Sequence, residues 1–184
     1  MHPSAAIVTF RSMREDDIPL LHGWLHRSHV VEWWGRHDAA PSIIKTREKY
    51  LPRILEATSV RVYIALSDSR PIGFAQSYVA FGVGDGWWED EIDPGVRGID
   101  QFLCDGNRLG QGLGTRMVMA FVRMLFSQPN VTRVQTDPSL NNMRAIRCYE
   151  KSGFRRLRNI VTPDGPALLM VQDNPLGQVS SHAA

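Results

Sequence analysis

The sequence predicts a mixed α/β (α+β) domain with a largely antiparallel sheet and a β-α-β crossover in its C-terminal half. Three observations carry this. Seven segments read as strands and about four as helices. The central strands follow one another closely enough to form hairpins. Strand and helix then alternate from residue 96 to 161, as a crossover requires, before one further closing strand. At 184 residues with 43% hydrophobic content the chain suits one domain, residues 1–184, with a real core.

The elements come in this order. "AIVTFRSM" (6–13) is a strand. "EDDIPLLHGWLHR" (15–27) is a helix, with acids at its start and Ile18, Leu21, Trp24 and Leu25 at helical spacing. "VVEWWG" (30–35) breaks that period and reads as a turn or short segment. Ser42 can cap a helix over 43–57, in which Pro52 predicts a kink or a boundary. Strands 60–66 and 72–82 form a hairpin over "SDSRP". A Gly- and Asp-rich loop leads to strand 96–104. Helix 112–128 ends at Pro129 and Asn130, strand 131–137 follows, and helix 141–153 stops at Gly153. Strands 154–161 and 166–172 close the domain, and the tail from about 175 is small, polar and expected to fray.

The bulk numbers exclude several classes. A formal charge of +2 does not argue for nucleic acid. No apolar run reaches the roughly 20 residues of a membrane span. "MHPSAAIVTFRSM" has no leader pattern, and the reading is cytoplasmic. Cys104 and Cys148 lack CxxC spacing and read as reduced thiols. His22 and His26 lie four apart on a helix, but no third ligand accompanies them, so no metal is expected.

"LGQGLGT" (109–115) lies between a strand and a helix. Its glycines let backbone N–H groups converge, and the helix start adds partial positive charge, which suits a pyrophosphate. It is not a Walker loop, because Gly114 is followed by Thr115 and Arg116. It is not placed as a dinucleotide fingerprint, because it follows a meander of strands.

The loop, with Gly112 and Gly114, and "NNMRAIRCYEKSGF" (141–154), with Asn142, Tyr149, Gly153 and Phe154, resemble the acetyl-CoA-dependent N-acetyltransferase (GNAT) superfamily. Leu109 stands where that superfamily usually has Gln or Arg. "VVEWWG", "YLPRIL", "PIGFAQSYVA", "GDGWWEDEIDPGVRGIDQ" and "TPDGPA" extend the likeness, from about residue 8 to 172, to the aminoglycoside 6′-N-acetyltransferases. The resemblance implies the single-domain acyl-CoA N-acyltransferase fold: a mixed, mostly antiparallel twisted sheet flanked by about four helices. It implies acetyl-CoA as cosubstrate, held by Gln101, Phe102, Leu103, Leu109, Gly110, Gln111, Gly112, Leu113, Gly114, Thr115, Asn142 and Ala145. Asn142 also has a plain reading as a helix cap.

Aminoglycosides are polycations, and their site calls for carboxylates and flat apolar faces. Asp85, Asp100, Asp137 and Asp164 supply the first. Trp34, Tyr50, Trp87 and Trp88 supply the second, with Trp34 and Trp88 preferred within their pairs. Gln76 and Tyr78 can add hydrogen bonds. Asp137 and Asp164 read equally as turn formers, as does Asp93. Glu89, Asp90 and Glu91 read as a solvated acidic rim that attracts cations.

Asp100, on the strand before the glycine loop, is the candidate general base. Tyr149 is the candidate donor to the leaving thiolate. A backbone N–H around 101–103 would hold the oxyanion. Neither cysteine has an evident base partner, so direct transfer in a ternary complex is favoured over an acyl-cysteine route. The alternatives are another acceptor (a polyamine, a siderophore amine or a protein amine) and a non-catalytic ligand-binding domain. The expected assembly is a monomer or weak dimer.

Overall fold

The computed structural model describes residues 7–34 and 40–176. The tail from 177 onward and the Gly35 end of "VVEWWG" therefore lie outside the described residues. The strands are β1 (Val8–Ser12), β2 (Arg61–Ser67), β3 (Arg70–Val79), β4 (Val96–Leu103), β5 (Arg133–Thr136), β6 (Arg155–Thr162) and β7 (Gly165–Asp173). The helices are α1 (Ile18–Leu25), α2 (Ser28–Trp34), α3 (Ile43–Ile54), α4 (Leu113–Phe126) and α5 (Met143–Lys151). Single 3-10 turns lie at Glu15–Asp17 and Gly106–Arg108.

All seven strands form one sheet in the order β1-β2-β3-β4-β5-β7-β6. Every pair is antiparallel except β4 with β5, which α4 connects as the predicted crossover. Strand alternation sends residues to two cores. Ala75 and Ile99 face α4 and α5, where Phe121 packs against Phe10 at 4.8 Å and Tyr63 at 5.4 Å between ring centres. Phe74 and Phe102 face α1 to α3, with Trp24 and Tyr50.

Two expectations are corrected. Residues 28–34 form a helix, α2, where the sequence reads as a turn or short segment over 30–35, giving five helices among the described residues. Seven residues are too few to show a periodic stripe, but tertiary contacts hold this helix. Val30 is buried, Trp34 packs edge-on against Phe74 and Phe102, and His29 Nε2 bonds Leu103 O at 2.9 Å. Arg27 also donates to Cys104 O. Pro52 does not bound α3, since the helix continues to Ile54. Its missing N–H removes one rung of the ladder, to the Glu48 carbonyl, with only two helical residues beyond it.

Ser42 caps α3 as expected, its hydroxyl accepting from Lys45 N–H at 3.2 Å. Ser42→Ala should cost about 1 kcal/mol, read as a lower urea midpoint with an unchanged slope. An unchanged midpoint would show that the cap contributes nothing.

The feature that positions a site is a mismatch in strand length. β4 pairs with β3 as far as Leu103, opposite Gly73. Its pairing with β5 covers only Val96 to Gly98, opposite Arg133 to Gln135. Beyond that point the chain follows β7 instead, with Leu168 N–H donating to Pro138 O at 2.9 Å and Ser139 bridging to Ala167. The two strands part, and residues 99–103 of β4 form one wall of a wedge.

Candidate active site

The wedge opens into a cleft of about 1270 Å³. Its walls are β4 from Asp100 to Leu103, the glycine loop with the start of α4, residues 136–142, the cleft-facing side of α5, α2, and the β6–β7 turn.

Alternation along β4 gives consecutive residues opposite duties. Asp100 faces the α3 side and accepts from Gln76 Nε2 at 2.8 Å, across the β3–β4 register. Gln76 Oε1 in turn accepts from Arg53 Nη1 at 2.7 Å. A half-buried arginine thus reaches the carboxylate through an amide. Burial pushes the Asp100 carboxyl up, while the Gln76 bond and the charges of Arg53 and Lys49 pull it down. Gln101 faces α5, and its Nε2 donates to Tyr149 OH at 2.7 Å. Tyr149 is 6% exposed, stands edge-on to Phe154, and burial raises its phenol well above the usual range.

Asp137 lies just past β5, on the opposite wall from Asp100. Burial, reinforced by the charge of Asp100, lifts its carboxyl to about 8. Two carboxyls whose charges oppose one another in a half-dry cleft form a trap for a cation.

At the other end is an anion cradle. Gly110 and Gly112 have φ of 73° and 78°, and nothing lies within 4 Å of a Cβ built on Gly110. Gly112 is the left-handed N-cap of α4, and the first amides of that helix have no intrahelical partner. Arg144, Arg147 and Lys151 of α5 line the same cleft. A diphosphate with a flexible arm running toward Leu103 fits these donors and this open backbone. Asn142 realises the cap reading, its Oδ1 accepting from Ala145 N–H at 3.1 Å.

A family profile described as "Acetyltransferase (GNAT) domain" matches residues 13–162. The chain belongs to the GNAT acetyltransferases. It is 58% identical over 165 residues to "Aminoglycoside N(6')-acetyltransferase type 1" of Klebsiella pneumoniae, covering 90% of this chain and 82% of that one. It resembles the structure of AAC(6')-Ib with paromomycin and acetyl-CoA at a TM-score of 0.88 and 55% identity, over 96% of this chain and 99% of that one. Against AAC(6')-Ib with coenzyme A and kanamycin the TM-score is 0.85 at 57% identity, over 90% and 94%.

Within this GNAT domain several sequence expectations need correction. Tyr50 was expected as a stacking surface but is 1% exposed. It packs on Phe74, and its OH accepts from Trp34 Nε1 at 3.1 Å. An aromatic at helical spacing had the core available to it, and the core took it. Gln76 is committed to Arg53 and Asp100, so it holds the carboxylate rather than offering a free bond. Of the second tryptophan pair, Trp87 lines the cleft, whereas the preferred Trp88 donates to Tyr78 OH at 3.2 Å. The Tyr78 ring lies against Gly98, where any Cβ would come within 2.4 Å of it. Tyr78 and Trp88 therefore brace the acidic loop. Asp85 is exposed at φ 54° and does not line the cleft.

Trp34, Asp137, Asp164, Leu109, Gly110, Gly112, Gly114, Thr115 and Ala145 do line the cleft, with Asp100 to Leu103. Leu113 is buried in the core and can offer only its backbone. Gln111 is exposed and donates to Asn107 O at 2.7 Å. Asp93 is a lock, accepting from Gly95 N–H at 2.7 Å and Thr132 Oγ1 at 2.6 Å. Asp90 pairs with Arg158 at 3.1 Å across the rim. Burial pushes the Cys148 thiol up, which disfavours a thiolate nucleophile.

The sequence reading missed Arg53 and His29. Arg53 stands three residues after Tyr50 on α3, so its place on the same sheet-facing side of the helix was readable, but its partner across the sheet, Gln76, was not. Arg53→Met should raise the Asp100 carboxyl further, because it removes a stabilising positive charge. The acid limb of the pH profile of kcat/KM then moves to higher pH, with the loss greatest on that limb and smallest on the plateau above it. A uniform loss at all pH values would refute the charge relay.

Proposed function

We propose that the protein transfers the acetyl group of acetyl-CoA to the 6′ amine of aminoglycosides and so confers resistance to them. The observation that carries this is the single wedge in which Asp100 on β4, Asp137 past β5 and Tyr149 on α5 surround the point where a thioester and an amine can meet. Identity of 58% to an aminoglycoside 6′-acetyltransferase supports the choice of acceptor.

Acetyl-CoA supplies an acyl group on a thioester whose sulfur departs as a thiolate. The cradle at Gly110–Thr115 and the cations of α5 bind its phosphates. The unpaired β4 edge at 101–103 directs the arm into the wedge and can offer an N–H to the oxyanion. Asp137 and Asp164 hold ammonium groups, Trp87 supplies a ring face, and the exposed acids of the 85–93 loop attract the polycation from the rim. Asp100 accepts the proton of the attacking amine as the N–C bond forms. Tyr149 gives its phenolic proton to the sulfur as the C–S bond breaks, and regains one from solvent. No acyl-enzyme is required.

The test follows acetyl-CoA consumption with kanamycin, tobramycin, gentamicin, spermidine and a lysine peptide. Turnover confined to aminoglycosides with a free 6′ amine is expected. Comparable kcat/KM with spermidine would replace the acceptor, and binding without any turnover would overturn the enzymatic reading.

A further inference from the structure

The Gln101–Tyr149 bond has a polarity, and that polarity decides where the phenol proton can go. A phenol has one hydrogen to give and lone pairs to receive. Gln101 Nε2 donates to the phenolic oxygen at 2.7 Å. The geometry points to Gln101 as a positioning residue that occupies the oxygen of Tyr149 as a donor and leaves the phenol's own hydrogen aimed into the cleft.

The amide could be reversed in principle, with Oε1 receiving the phenol hydrogen and withdrawing it from the cleft. The surroundings argue against that. Gln101 Oε1 is wholly buried and has no partner. Reversal would place two N–H donors in that same spot. A stranded N–H pair costs more than one under-used carbonyl. The observed orientation is therefore the less costly one, and it is the one that frees the proton.

The rest of the environment agrees. Tyr149 is 6% exposed, and both it and Gln101 line the cleft. The ring is flanked by Phe154 at 5.3 Å, which takes no hydrogen bond in its plane. Thr136, also on the cleft wall, is a second neighbour whose side-chain hydrogen bond pulls the phenol down, as a hydroxyl donating to its oxygen does. Backbone alternation makes the arrangement possible. Asp100 and Gln101 are adjacent on β4 and face opposite sides, so one strand serves the proton acceptor and the proton donor together. When the C–S bond breaks, the electron pair stays on sulfur and the phenol hydrogen follows it. The Gln101 N–H then faces a developing phenolate, where its bond strengthens.

The inference rests on the reading of Tyr149 as proton donor, and the test separates the two. Single-turnover acetyl transfer to kanamycin would be measured for Gln101→Glu, Gln101→Met, Tyr149→Phe and the paired variants. Gln101→Glu keeps the shape but turns a donor into an acceptor. It should slow transfer by roughly 10- to 100-fold with KM for acetyl-CoA within about twofold. Gln101→Met only removes the donor and should lie between Glu and wild type. It also carries the test if the buried glutamate prevents folding. In the Tyr149→Phe background neither change should matter further. A Gln101→Glu enzyme at the wild-type rate, or an equal loss in both backgrounds, would overturn the proposal. If Tyr149→Phe alone keeps the wild-type rate, the donor reading falls and this inference with it. If Tyr149→Phe is slow while both Gln101 variants are not, only this inference falls.

Discussion

Asp100→Asn is expected to lower kcat/KM for kanamycin by about 100- to 10,000-fold, the range for loss of a positioned general base. The substitution is close to isosteric. Gln76 can still donate to the asparagine oxygen, so the Arg53–Gln76 chain has no reason to collapse. Coenzyme A binding, held at the other end of the cleft, should be unchanged, and the melting temperature should not fall. The loss should sit mainly in kcat. An Asp100→Asn protein that folds and retains kcat/KM within about threefold would remove Asp100 from the chemistry.

Asp137→Asn should stabilise the ligand-free protein, and increasingly so as pH rises. The Asp137 carboxyl titrates at about 8 in the folded state against an ordinary 3.8. Below 3.8 the folded and unfolded chains both carry the proton, and the side chain costs nothing. Between 3.8 and about 8 the unfolded chain has released it and the folded chain has not. Each pH unit in that window costs the native state up to about 1.4 kcal/mol. Above about 8 the penalty is constant. The melting temperature of Asp137→Asn should thus match wild type near pH 4 and exceed it near pH 8, by on the order of a few kcal/mol of stability. Activity should fall, because the same carboxylate is needed for the cation. A bound ammonium group opposes the shift, so aminoglycoside binding at pH 7 should release protons. Calorimetry in buffers of different ionisation enthalpy would show this for wild type and not for the variant. A pH-independent difference in melting temperature would contradict the burial argument.

The cost and the use of the site lie in the same groups. The carboxyls that destabilise the empty cleft are those that a polycation relieves. The six carboxylates between residues 85 and 100 divide accordingly. Asp93 locks a turn, Glu91 accepts from Asp93 N–H at 3.0 Å, and Asp90 bridges to Arg158. Asp85 and Glu89 are exposed on the rim, and Asp100 alone reaches the wedge.

The sequence by itself determined the strand order in the chain, the crossover, the glycine cradle and the cap at Asn142. The cradle and the cap depend on close neighbours, through φ freedom or an end-of-helix amide, and the crossover follows from the order of segments that are each locally periodic. It also marked Asp100 and Tyr149, because the motifs around them are local. Only the tertiary structure decided what lies across the sheet. Tyr50 went to the core, Gln76 to Asp100, Trp88 to Tyr78 and Gln101 to Tyr149, in pairings that span 10 to 48 residues. The register of β3 on β4 and the early end of the β4–β5 ladder set those partners. Register is a property of two strands together, and a one-residue slip would send the strand members of these pairs, Gln76 and Tyr78 on β3 or Asp100 and Gln101 on β4, to the other face.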